Sequence, residues 1–113
     1  MAAMTTALAG FSNYGNSRTS TYTGHTTQEP RLVIEKRRVP EGNQTVAEYS
    51  MKVLSSTEDS DGTILAQKVS LEAIVRMPVT GIVADVEAAL VIFRDIIAGD
   101  EFANSIATQE WLT

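Results

Sequence analysis

Hydrophobic and polar positions alternate from residue 31 onwards. In residues 31–38, Leu32 and Ile34 fall on one side and Arg31, Val33, Glu35 and Arg37 on the other, the period-two pattern of a half-buried strand. Pro40-Glu41-Gly42-Asn43 supplies a turn. Residues 45–55 resume the alternation, with Ala47, Tyr49, Met51 and Val53 on one face and Val46, Glu48, Ser50, Lys52 and Leu54 opposite. These two segments predict a hairpin. The polar loop at 56–62 follows, and its Asp61-Gly62 step favours a turn with positive φ. A third strand is predicted over residues 64–77. Leu65, Val69, Leu71, Ala73 and Val75 mark its apolar face, interrupted by Gln67, while Ala66, Lys68, Ser70, Glu72, Ile74 and Arg76 mark the other. Pro78 ends it.

Beyond Pro78 the period becomes helical. Thr80 or Gly81 can cap a helix running to Ala98, with Asp85 and Glu87 near its positive end and Gly99 suited to a left-handed residue past its C-terminus. Val86, Ala89, Leu90, Phe93, Ile96 and Ile97 form the expected stripe, yet Ile82, Val83, Val91 and Ile92 lie largely outside it. A helix apolar on nearly all sides is buried on more than one side. One sheet face of so short a chain cannot cover it, so the pattern points to a second subunit, with Val86, Leu90, Phe93 and Ile97 in the dimer interface. Asp100 is placed to cap a second helix reaching about Trp111, with Phe102, Ala103, Ile106 and Ala107 inward. Strands followed by helices define an α+β fold, the helices on one face of an antiparallel meander.

Residues 1–30 are rich in Thr, Ser and Gly, with Arg18 and Glu29 as their charges. Residues 4–9 and 19–23 can form a surface hairpin through the turn-rich 12–17, or the segment is a loose arm.

At 113 residues the chain is one domain long, enough for a core but marginal for a stable monomer. It has no cysteine, hence no disulfide framework and no thiolate chemistry. The first ten residues lack a basic n-region and a long apolar run, and nothing approaches a membrane span of ~20 apolar residues, so a soluble protein is expected. Chemistry is sparse. His25 is the lone histidine, too little for a metal site or a Ser-His-Asp arrangement, and reads as a surface residue. Walker, dinucleotide-binding and Gly-x-Ser-x-Gly patterns are absent from the sequence. Glu58, Asp59 and Asp61 share one loop, which reads as solvated, with weak calcium binding as the alternative. Asn43-Gln44-Thr45 matches the glycosylation sequon without a secretory signal to give it meaning. No catalytic residue, metal or cofactor is expected.

The net charge of −5 conceals a division. Residues 31–78 without the acidic loop hold seven bases (Arg31, Lys36, Arg37, Arg38, Lys52, Lys68, Arg76) against four acids (Glu35, Glu41, Glu48, Glu72), a balance of +3. Residues 79–113 hold Arg94 against Asp85, Glu87, Asp95, Asp100, Glu101 and Glu110, a balance of −5. The alternation is read as placing Arg31, Arg37, Lys52, Lys68 and Arg76 on the face opposite the apolar one, beside Ser50 and Ser70. Such a face suits phosphate contacts, although Glu35, Glu48 and Glu72 share it.

The run VSLEAIVRMPVTGIVADVEAALVIFRDIIAGDEFANSIATQEWL, preceded by the segments RLVIEKRR and TVAEYSMKVL, resembles the coat proteins of single-stranded RNA bacteriophages, the leviviruses. The likeness is one of order and texture over residues 31–113, with residues 1–30 matching in kind. It implies an N-terminal hairpin, a sheet of about five antiparallel strands and two helices that cross onto a partner subunit's sheet. The residues then divide into an outer hairpin at 1–30, a sheet at 31–78 and a helical dimerisation region at 79–113 of one coat domain. The implied function is a homodimeric capsid subunit of an icosahedral virion, made in a bacterial host's cytoplasm, enclosing genomic RNA and also binding an RNA hairpin as a translational repressor. The implied RNA-facing residues are Arg31, Val33, Arg37, Ser50, Lys52, Lys68 and Ser70, and the acidic loop falls where such subunits surround symmetry axes. Two rivals remain open from the residues alone: a small dimeric α+β module binding a ligand or peptide near Tyr49, Phe93 and Trp111, and a hydrolase using clustered carboxylates.

Overall fold

A computed structural model describes residues 3–42 and 45–112. Five antiparallel strands form one sheet in sequential order: β1 (Ala9–Tyr14), β2 (Ser17–Thr21), β3 (Arg31–Arg38), β4 (Val46–Ser55) and β5 (Val69–Pro78). Helices α1 (Val83–Ala98) and α2 (Asp100–Thr108) follow. Residues 3–79 and 80–112 are two compact units, described separately below. The α+β order expected from the sequence is therefore present.

In the sheet unit, β1 and β2 form the surface hairpin, but displaced. The strand expected at residues 4–9 gives way to Ala9–Tyr14, and the turn tightens to Gly15-Asn16 between the paired Tyr14 and Ser17. Pairing ends where Ala9 meets Thr21, because the chain then leaves the sheet through residues 22–30, so residues before Ala9 have no strand to join. Phe11 is the extra residue of a bulge between Gly10 and Ser12, and its ring meets the His25 imidazole edge-on at 5.8 Å. The His25 Nδ1 accepts the Arg31 N–H at 3.0 Å, and the Tyr22 hydroxyl donates to the Leu54 carbonyl at 3.2 Å, so the loop is tied to β3 and β4. Gly24 permits that path: its φ is +94°, and a Cβ there would stand 2.9 Å from Arg31 Nε. Gly24→Ala is expected to destabilise the chain by about 1–3 kcal/mol, read as a lower denaturation midpoint; an unchanged midpoint would show the loop to be free to move.

β5 begins at Val69 rather than at 64, because β4 is exhausted at the pair Ser55 and Val69. Residues 56–68 form a loop pinned by a bridge between Glu58 and Ile64 and by the Leu65 N–H donating to the Thr57 carbonyl at 2.9 Å. Gly62 has the positive φ expected, +85°. Asn43 and Gln44, part of the expected turn and of the sequon, lie outside the described residues. The core of the unit is small: among the described residues Val33 (6% exposed) and its cross-strand partner Ser20 (0%) are the buried side chains.

In the helical unit, α1 starts at Val83 after an extended Ile82, so neither Thr80 nor Gly81 caps it. Gly99 is extended (φ −78°) and not left-handed, because α2 begins at the very next residue and Gly99 serves both helices as their shared cap. Asp100 is thus the first residue of α2 instead of its cap, although Asp100 and Glu101 still sit at the positive helix end. α2 stops at Thr108, short of Trp111, with Gln109 in the left-handed region at φ 60°. Neither helix contains a buried residue. On α1 the flank residue Ile92 is 63% exposed, and Phe93 of the stripe is 47% exposed.

Candidate nucleic-acid interface

Residues paired across antiparallel strands share a face. The register therefore decides which side chains act together. Val33 lies opposite Val53, and Val53 opposite Leu71; Ile34 lies opposite Lys52, and Lys52 opposite Glu72. Following the pairs across the sheet gives a first face with Arg18, Ser20, Arg31, Val33, Glu35, Arg37, Ala47, Tyr49, Met51, Val53, Leu71, Ala73, Val75 and Met77. The second face carries Thr19, Thr21, Leu32, Ile34, Lys36, Arg38, Glu48, Ser50, Lys52, Leu54, Ser70, Glu72, Ile74 and Arg76.

This corrects the face expected from the sequence. Arg31, Val33 and Arg37 do not join Ser50, Lys52 and Ser70; they lie across the sheet from them, on the side of Tyr49 and Met51. Lys68 precedes β5 and belongs to neither ladder. Each strand's alternation was legible, but how β3 aligns with β4 depends on the parity of the connection between them, which alternation does not reveal. The signal lay in matching apolar neighbours: Val33 with Val53, and Leu32 with Leu54.

The second face is polar in a particular way. Lys36 and Lys52 stand among the hydroxyls of Thr19, Thr21, Ser50 and Ser70, the small donors and point charges that suit a phosphate backbone. Lys36, Arg38, Thr19 and Thr21 were missed as interface candidates. Glu48 receives two arginines, Arg38 at 3.7 Å and Arg76 at 3.5 Å, so this carboxylate is already met by cations from β3 and β5. Lys52 sits half-buried between Ile34 and Glu72, and forms no ion pair among the described residues.

The first face is apolar across β4 and β5. Met51, Leu71 and Val75 are 37%, 47% and 38% exposed. At its margin the Tyr49 hydroxyl donates to Glu35 Oε2 at 2.6 Å. Partial burial, followed by the hydrogen bond and the negative charge of Glu35, pushes the phenol up from 10.0 to about 12. The raised value favours the neutral phenol in the folded chain, so its stabilising contribution is complete below about pH 10 and is lost as pH rises through about 12. An alkaline titration followed by tyrosinate absorbance should show one of the three tyrosines ionising late; all three ionising together would refute the contact with Glu35.

His25 is occupied as a hydrogen-bond acceptor in the loop, and Asp59 Oδ1 accepts the N–H groups of Asp61 and Thr63 at 2.9 and 3.0 Å. No three metal-ligating side chains converge among the described residues, and no described helix is long and apolar enough to cross a membrane.

A five-stranded antiparallel meander followed by two helices is the fold seen in subunits of levi-like virus-like particles. The subunit of the virus-like particle of Beihai levi-like virus 32 superposes with a TM-score of 0.79 at 16% identity, over 96% of this chain and 88% of that one. That of Wenzhou levi-like virus 4 gives 0.76 at 14%, over 99% and 82%, and that of bacteriophage AVE019 gives 0.68 at 10%, over 96% and 89%. No protein-family model matches the sequence, and no curated protein matches it. The likeness is thus carried by architecture, as the sequence texture implied.

Proposed function

We propose that this chain is the capsid subunit of a single-stranded RNA phage, a structural protein that dimerises and assembles into a shell around RNA. The observation that carries the reading is the shared fold, which extends over 96–99% of this chain in three proteins that form virus-like particles. The exposed chemistry supports it. The apolar face of β4 and β5 and the apolar helices are two surfaces that water would penalise, and each needs a cover of the kind the other offers. In the proposed dimer, Val86, Leu90, Phe93 and Ile97 of one subunit lie over the partner's sheet. The second face, with Lys36, Arg38, Lys52, Ser50 and Ser70, then looks inward at the RNA, and Arg31, Val33 and Arg37 are left out of the RNA surface. A repressor hairpin would be read on the same face, where Glu72 can accept from a base amino group.

Electron microscopy of the purified recombinant protein tests the reading. Closed particles containing RNA are expected. Discrete dimers alone, under conditions favouring assembly, would favour the ligand- or peptide-binding module instead.

A further inference from the structure

At the end of the sheet unit nearest the β1–β2 turn, Asn16, Arg18, Glu35, Lys36, Arg37 and Tyr49 are among the residues lining a notch of about 280 Å³. Its charge is one-sided. Arg18, Lys36 and Arg37 stand against Glu35, whose carboxylate is already engaged by the Tyr49 hydroxyl. Arg37 is held in place by one residue: its N–H donates to the Asn16 carbonyl at 2.9 Å and its Nε to Asn16 Oδ1 at 3.3 Å. None of the three cations forms an ion pair among the described residues.

A matching anion exists at the opposite end of the same sheet. The turn after β4 is fixed by Asp59, whose side chain accepts two backbone N–H groups and whose carbonyl accepts the Gly62 N–H at 3.1 Å. Asp59 is thereby committed to the turn, while Glu58 and Asp61 are exposed and form no ion pair among the described residues, although Arg31 lines the cleft beside Glu58. The notch lies by the pair Arg37 and Tyr49, and the turn departs beyond the pair Arg31 and Ser55. Those pairs are six residues apart, roughly 20 Å at about 3.3 Å per residue, so turn and notch of one chain cannot meet.

We propose that the notch receives the Glu58–Asp61 turn of a second copy of this chain, in a head-to-tail contact between sheet units. A contact between unlike patches repeats from copy to copy and builds rings where the rotation closes and filaments where it does not, extended assemblies that a two-fold dimer interface alone cannot make. The acidic helices are poorer occupants, because a helix with its side chains is about 10–12 Å across and the notch admits only a turn or a few side chains. The proposal rests on the capsid reading in taking the occupant to be a second copy.

The test compares the parent with Arg18→Glu/Arg37→Glu, with Glu58→Lys/Asp61→Lys and with all four changes together, by sedimentation and electron microscopy. Each pair alone is expected to lower particle yield about tenfold or more while leaving dimers, since like charges then face each other. The fourfold variant is expected to recover particles. The loop variant alters only exposed residues, so it remains decisive if the notch variant fails to fold. Parent-like yield from the loop variant, no recovery in the fourfold variant, monomers in place of dimers, or lost RNA with undiminished particles would each overturn the contact. If the parent forms no particles, the capsid reading fails by itself. The contact then stands only if the parent dimers self-associate in a salt-sensitive way that both pairs of changes abolish and the fourfold variant restores.

Discussion

Phe93→Ala is expected to convert the proposed dimer into species that neither assemble nor stay folded at low concentration. Phe93 is 47% exposed in the single chain, flanked on α1 by Leu90 and Ile97 at 36% and 44%, an arrangement that is stable in water only if another surface covers it. In the proposed dimer the ring is enclosed by the partner's sheet. Truncating an enclosed phenylalanine costs about 3–5 kcal/mol, and a two-fold interface contains the change twice. Sedimentation at several concentrations reads the result. A dimer as tight as the parent's would remove α1 from the interface and with it the assignment of Val86, Leu90 and Ile97.

Lys36→Ala combined with Lys52→Ala is expected to yield dimers that assemble with less RNA. Each phosphate contact with a single strand contributes about 0.7 to the slope of log affinity against log salt, so losing two should flatten that slope by about 1.4. Arg37→Ala provides the control, because Arg37 lies across the sheet from both lysines. Its salt slope should match the parent's in RNA binding by isolated dimers. The reverse outcome, with Arg37 flattening the slope and the lysines not, would put RNA on the opposite face.

The two faces also show what a single sequence can and cannot reveal. Alternation in β3, β4 and β5 was legible because a half-buried strand imposes a period of two, and the all-round greasiness of α1 was legible because it violates the usual one-sided stripe. Register was not. Whether Arg37 or Lys36 accompanies Ser50 depends on cross-strand alignment, and a shift of one residue exchanges every side chain between faces. Boundaries missed for a related reason: residues 64–68 have strand character but lie beyond the β4 ladder, where a single bridge from Ile64 to Glu58 does not make a strand, and pairing decides. Gly99 carried the composition of a left-handed cap, yet the immediate start of α2 required an extended residue there. The acids on the second face looked like obstacles to phosphate until the structure set Glu48 between Arg38 and Arg76.

The pairing of Val33 with Ser20 has a further meaning. Among the described residues of the sheet unit Val33 is the one buried apolar side chain, so in the proposed assembly much of what the unit buries would be supplied by other copies. For such a subunit, folding and assembly become parts of one reaction. Its melting temperature should climb with protein concentration, as mass action requires when only the associated state is well packed. In the proposed shell a newly made chain would gain its stability by meeting its neighbours, the shell acting as the protein's missing core.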